Sequence, residues 1–307
     1  MNLSKTQEHI INGWINQLDI KNASLDDLKW VHKNHKKINN HIMNSPYAIG
    51  TKRNYINLLG VILRELGYDK LYDGYNRLTS ELNKQHDKQE KKQCMTDKEK
   101  INFVSHGEIK NKIDELDQYK NNSKIDNYKH LALSLYWYQP PIRNNYPDMI
   151  VAKGNPNNYI SNGDMDQNEL TKFMNNYYIV INDDKVSNTY GSAVIDIVDN
   201  ELTKILNNSF NKYPRTYVFE GIEPLNFRKS FLPSLFDNKN VSIDILRSSY
   251  ITWFYGSNHS LADKEQLAYN MRHSKAVAEL AYCKIDTKDR YKRFKTISSV
   301  QRKSKTN

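Results

Sequence analysis

Residues 270–282 read Asn270-Met-Arg-His-Ser-Lys-Ala-Val-Ala-Glu-Leu-Ala-Tyr282 and place a histidine, His273, nine residues before a tyrosine, Tyr282. Ser274 is a good N-cap for the alanine-rich run between them, so the spacing predicts a short helix that carries the tyrosine. With 21 tyrosines and 9 histidines in 307 residues, about 0.6 such pairs arise by chance, and the pair takes its meaning from its neighbours.

Working outward from it, Ser242-Ile-Asp-Ile-Leu-Arg-Ser-Ser-Tyr-Ile-Thr-Trp-Phe-Tyr255 reads as a helix carrying Asp244 and Arg247. Another helix is expected over Asn200 to Phe210. Before it, Asn176-Tyr-Tyr-Ile-Val-Ile181, a polar turn over Asn182 to Gly191 that holds Lys185, and Ser192-Ala-Val-Ile-Asp-Ile197 make a hairpin rich in β-branched and aromatic residues. Ser105 to Leu116 and Tyr128 to Tyr138 read as helices. Pro140-Pro141 ends the second, because proline lacks the amide donor and restricts its predecessor, and Arg143 follows that break.

The first 83 residues read as a helical bundle. Thr6 to Leu18 places Ile10, Ile11, Trp14 and Leu18 at helical spacing, and Ser24 to Val31 opens with a Ser-Leu-Asp-Asp capping signature. Thr51 to Leu66 is the clearest amphipathic helix, with Thr51 as N-cap and Leu58, Val61, Ile62 and Leu66 inward. Lys52, Arg53 and Tyr55 near its start are candidate DNA-binding residues, since cations and amides at a helix N-terminus suit phosphate. Residues 84–100 shift to Lys, Gln, Asp and Glu and read as a linker. The expected organisation is therefore a helical domain over 1–83, a linker over 84–100, a second domain over 101–282 and a basic tail over 283–307. The fold class is mainly α with a small β-hairpin or sheet.

The formal charge is +10, and the tail holds nine Lys or Arg against Asp286 and Asp289, a local +7. Such a tail suits a polyanion, because each cation placed on a phosphate releases condensed counterions. No run approaches the length of a membrane span and the start lacks a signal-peptide apolar core, so no membrane partner is expected. Cys94 and Cys283 lie far apart without metal-ligand spacing, which suits a reducing, intracellular setting. His32 and His35, in a Lys-rich stretch with no third ligand nearby, read as a solvated face rather than a metal site. His259 reads as a solvent-exposed loop histidine.

Taken in order, Arg143 after a helix break, Lys185 in a hairpin turn, Arg247 in Asp244-Ile-Leu-Arg247 and His273 nine residues before Tyr282 resemble the tyrosine recombinase family of phage-type integrases. The resemblance covers most of the chain, including a Thr-x-x-x-Tyr helix like Thr51 to Tyr55. It implies a helical, SAM-like core-binding domain followed by a recombinase catalytic domain. Three departures stand out: Arg272 replaces the glycine before the histidine, Asp244 stands where the family carries histidine or lysine, and the first acid after Arg143 is Asp148. Lys153 and Lys172 are rivals of Lys185 for the lysine role.

The resemblance implies chemistry that needs these residue types. Tyr282 attacks a DNA phosphodiester, Arg143 and Arg247 clamp its non-bridging oxygens, His273 adds a donor, and Lys185 protonates the departing 5′ oxygen. Asp244 either turns away from the phosphate or takes the tyrosine's proton. The product is a 3′-phosphotyrosine intermediate that a second DNA hydroxyl reverses without metal, ATP or other cofactor. Arg272 is a candidate DNA contact. The implied partners are double-stranded DNA and three further copies of the chain in a tetramer, in the nucleus, or in a viral factory or the cytoplasm. A type IB DNA topoisomerase and an inactive DNA-binding relative are the alternatives.

Overall fold

The computed structural model describes residues 3–90, 95–143, 145–160, 167–274 and 277–284. The chain is mainly helical with a small four-stranded mixed sheet. It divides into two compact units, residues 1–92 and 93–307.

Among its described residues the first unit holds four helices, α1 (Lys5–Leu18), α2 (Lys29–Asn44), α3 (Ile49–Glu65) and α4 (Asp69–Glu90). Ser4 and Gln7 cap α1 reciprocally. Ile11, Trp14, Val31, Ile38, Ile42, Ile56, Leu59 and Leu63 form the core. The buried stripe of α3 runs through Ile56, Leu59 and Leu63, with Leu58 and Ile62 beside it, while Val61 and Leu66 are only half-buried.

Two expectations are corrected here. Thr51 lies inside α3, which starts two residues earlier after Ala48 with no side-chain cap. The Ser24 signature closes a turn, its hydroxyl accepting from the Asp27 amide and its carbonyl from the Trp30 indole, and α2 begins only at Lys29. The boundary between the two units falls within the expected linker, 84–100, whose described residues are largely helical: α4 runs on to Glu90, and α5 (Asp97–Asn102) starts at a Thr96/Glu99 capping box. Lys, Gln and Glu are good helix formers, so a polar stretch continued a helix already nucleated by its apolar first half.

In the second unit α6 (His106–Asp117) and α7 (Lys124–Trp137) follow α5. Helix α7 is buried nearly all round, from Asn127 to Tyr136, and so forms the centre of the unit. The sheet has order β1-β2-β3-β4, with β1 (Ile150–Lys153) parallel to β2 (Glu169–Phe173) and the other pairs antiparallel. Strands β3 (Asn176–Ile181) and β4 (Ala193–Ile197) form the expected hairpin, paired from Tyr177 with Ile197 to Ile181 with Ala193. A short helix, α8 (Ser187–Tyr190), interrupts its turn.

Beyond the sheet come α9 (Asn200–Lys212), α10 (Pro224–Asn226) running into a π-helical turn over Phe227–Phe231, α11 (Ile243–Gly256) and α12 (Leu261–Asn270). The sheet, α7 and α9 share one core through Leu131, Leu135, Ile179, Leu202 and Leu206. A smaller cluster of Tyr250, Ile251, Leu267, Met271, Ala278 and Cys283 seats the segment that bears Tyr282 against α11 and α12. Residues 285–307, most of the basic tail, lie outside the described residues.

Candidate functional site

Helix α11 sets the frame. Ser242 caps it by accepting from the Ile245 amide, and the helical repeat then puts Asp244 and Arg247 on one face, three residues apart. Arg247 has no exposed surface. Its Nη1 donates to the Pro141 carbonyl at 2.5 Å and its Nη2 to the Met271 carbonyl at 3.1 Å. One guanidinium thus ties the loop after α7 and the end of α12 to α11, while its Nε finds no partner among the described residues. Burial pulls the pKa of Arg247 down, and the neighbouring Arg143 adds to this, against the opposing pull of Tyr282 and Asp244.

The end of α12 explains how His273 is held. The His273 amide donates to the Ala268 carbonyl and the Arg272 amide to that of Tyr269, the paired bonds of a Schellman motif with Arg272 at the left-handed position. Arg272 has φ 55, a conformation that glycine adopts freely and that costs another residue about 1 to 3 kcal/mol. Its side chain is buried. Nε donates to Asp184 Oδ2 at 2.9 Å and Nη2 to the Gly191 carbonyl at 2.5 Å. The expectation that Arg272 contacts DNA is therefore corrected: the guanidinium and the Asp184 carboxylate are each 2% exposed, and they are spent on each other.

Tyr282 ends a π-helical turn over Ala278–Tyr282, a geometry frequent at functional sites. The Ser274 hydroxyl accepts from the Val277 amide, while the π-helical turn itself has Val277 at its N-cap and no side-chain cap. The tyrosine ring stacks on His273 with centroids 5.6 Å apart and planes 17° apart, and the Arg247 guanidinium carbon lies 5.0 Å from the ring centroid. Its hydroxyl is 3.5 Å from Asp244 Oδ1. Just beyond, Cys283 is buried, the Lys284 amide donates to the Thr252 hydroxyl, and the Lys284 ammonium pairs with Glu99 at 3.0 Å.

His273 is 7% exposed, and neither ring nitrogen has a hydrogen-bond partner among the described residues. Burial first, then the charges of Arg247 and Arg143, pushes its pKa down to about 4, so the ring is neutral at pH 7. Arg143 is half-buried, close enough to act on both His273 and Arg247, and its Nε likewise has no partner among the described residues. Its carbonyl accepts from the Tyr136 hydroxyl at 3.4 Å. Asp148, the acid after it, is exposed. Arg143, Asp244, Arg247, His273 and Tyr282 are thus brought together from four separate segments.

Lys185 is exposed on the β3–β4 turn. Its predecessor Asp184 is the partner of Arg272, and the carbonyl of Asp183 accepts from Asn145 in the loop after Arg143. The turn is therefore moored to the site from two sides. Of the rivals, Lys172 donates to Asn207 and lies over the Tyr177 ring, and Lys153 is paired with it in register at the end of β1. The mooring favours Lys185.

The remaining candidates have structural partners. Lys52 donates to the Met43 carbonyl, Arg53 to Asn54 and Asn83, and Tyr55 packs edge-on against Trp14 and Tyr47. Tyr55 is thereby a packing residue, while Arg53 and Lys52 lie half-exposed. His32 stacks on Tyr68 and His35 bonds the Tyr75 hydroxyl, so the His-x-x-His pair is aromatic packing rather than the expected solvated face. His259 is half-buried and stacks on Phe254, not solvent-exposed as expected. Among the described residues no three His, Cys, Asp or Glu side chains are grouped to hold a metal, and no helix is long and apolar enough to cross a membrane.

Asp184 is the residue that the sequence reading missed. The available signal was a pair of departures: an arginine at a helix-end position usually given to glycine, and an acid directly before the turn lysine. No family model, curated protein or solved structure matches the chain.

Proposed function

We propose that the chain is a DNA strand transferase of the tyrosine recombinase type, which cuts and rejoins DNA through a 3′-phosphotyrosine link. One observation carries the reading. A tyrosine hydroxyl lies beside a carboxylate and over a buried arginine, while Arg143 Nε, Arg247 Nε and both ring nitrogens of His273 are buried with no hydrogen-bond partner among the described residues. Buried polar atoms are nearly always satisfied, and a cluster of unsatisfied ones around cations calls for an anion with several acceptor oxygens. A phosphodiester supplies them.

The steps follow from the positions. Arg143 and Arg247 hold the non-bridging oxygens, and neutral His273 donates a further hydrogen bond as charge builds on the phosphorus oxygens. The Tyr282 oxygen bonds to phosphorus as its proton passes to Asp244, the acceptor 3.5 Å away. The bond from phosphorus to the 5′ oxygen breaks, and Lys185 gives that oxygen its proton. Because the ring of Tyr282 covers Arg247 and stacks on His273, it swings aside as the phosphate comes in. Reversal by a 5′ hydroxyl of another duplex makes the reaction recombination, in a tetramer with the charged tail available to a neighbouring copy.

The polarity of the link tests this reading. A duplex labelled at the 5′ end of the cut strand should carry its label into the covalent adduct, and one labelled at the 3′ end should release it as a fragment with a 5′ hydroxyl. The opposite pattern contradicts a 3′-phosphotyrosine. Relaxation of supercoiled plasmid by the monomer, without joining of two duplexes, would assign the chain to the topoisomerase reading instead.

A further inference from the structure

Resting on that proposed strand transfer, we infer that the buried Asp184–Arg272 pair is a positioning device that sets the Lys185 turn against the nucleophile segment. The pair joins residues immediately adjacent to two functional groups: Asp184 precedes Lys185, and Arg272 precedes His273. Arg272 also closes the turn on itself. It bonds Asp184 near the start of the turn and the Gly191 carbonyl at its end, and Gly191 sits at φ 65, ψ −168, a region essentially confined to glycine. Within the turn, Asp184 Oδ1 accepts from the Val186 amide and the Ser187 hydroxyl. Every one of these contacts restrains the segment on which Lys185 stands.

Stability alone does not account for the arrangement. Glycine at position 272 would remove the left-handed strain, and a buried ion pair is weak support for a fold because both charges must be stripped of water. Arg272 keeps the strained backbone and the buried charge. Strain that survives at a site points to a role there, and the cation on the restrained turn is the exposed ammonium of Lys185. Lysine is flexible and strongly hydrated, so a general acid of this kind depends on its backbone being fixed.

The test uses a substrate that does not need the acid. A duplex with sulfur in place of the bridging 5′ oxygen at the cleaved bond has a thiolate leaving group, which departs unprotonated. The readout is the ratio of cleavage rates on the sulfur and oxygen substrates by the full chain, a ratio that does not depend on the fraction of protein folded. Lys185→Ala should raise it about 100-fold or more, the size of a lost general acid. Asp184→Asn and Arg272→Gly should raise it in the same sense, and either change added to Lys185→Ala should raise it no further. Arg272→Gly relieves the strained backbone, whereas Asp184→Asn leaves it untouched, so agreement between them excludes a backbone artefact. A wild-type ratio in both variants overturns the inference, as does a wild-type ratio in Lys185→Ala. The wild-type enzyme distinguishes the deeper failure: if it cleaves neither substrate, strand transfer itself is wrong.

Discussion

Arg247 is a fully buried cation whose two fork nitrogens hold backbone carbonyls from different segments. Lysine cannot span both. Arg247→Lys should cost about 1 to 3 kcal/mol, the penalty of one buried carbonyl left unpaired, read as a lower midpoint in urea. It should also slow cleavage by about 10²- to 10³-fold through the lost clamp. Asp244 offers a cleaner separation of roles because its partner is the reacting hydroxyl. Asp244→Asn should slow cleavage by about 10²- to 10⁴-fold, with the folded fraction unchanged. If Asp244→Ala and Asp244→His both cleave at the wild-type rate, the proton goes elsewhere. At this scale the sequence named the five residues that converge, since order and spacing survive in a linear reading. It misplaced Arg272, because a guanidinium that meets phosphate and one that meets a buried carboxylate look alike until burial is known.

Among the elements, those with strong local signals were legible. Helix α9 begins where Asp199 accepts from the Glu201 and Leu202 amides, and it buries Leu202 and Leu206 against the core. Asp199→Ala should therefore lower stability by about 0.5 to 2 kcal/mol with no change in the cleavage rate per folded molecule, a comparison of a denaturation midpoint with an active-site titration. The β3–β4 hairpin, rich in β-branched residues, was equally plain. Strand β2 was not, since it buries Glu169 and Thr171 beside Leu170 and so breaks the apolar alternation that marks a strand. Helix α12 buries only Leu267 and Ala268, and its one clear signal is the Ser260/Asp263 capping box. The helical run to Glu90 shows a partial reading: composition marked the stretch that holds the unit boundary, while propensity and continuity made its first part a helix.

For the molecule as a whole, acid is the revealing variable. Burial above all holds His106, His130 and His273 down at about 4, from an ordinary 6.5. The native state refuses protons that the unfolded chain accepts, so stability that is complete above about 6.5 is lost as pH falls toward 4. Buried Glu169 works the other way, its pKa raised to about 7 from 4.5, and gains stability over most of the same window. Three histidines against one glutamate leave a net loss of about 2 to 3 kcal/mol per pH unit at the steepest. Denaturation midpoints between pH 7 and 4.5 should fall accordingly, and a flat or rising series would contradict the neutral buried histidines.

The decisive experiment is covalent trapping. Full-length protein is incubated with nicked duplexes tiled from the DNA that flanks its own gene, and wild type is compared with Tyr282→Phe on a denaturing gel. A protein–DNA band that forms with the wild type and vanishes in the variant, while both still shift the same duplex on a native gel, is the expected result. Duplexes that are bound without any covalent band, or a band that persists in Tyr282→Phe, would contradict tyrosine-mediated strand transfer at this site.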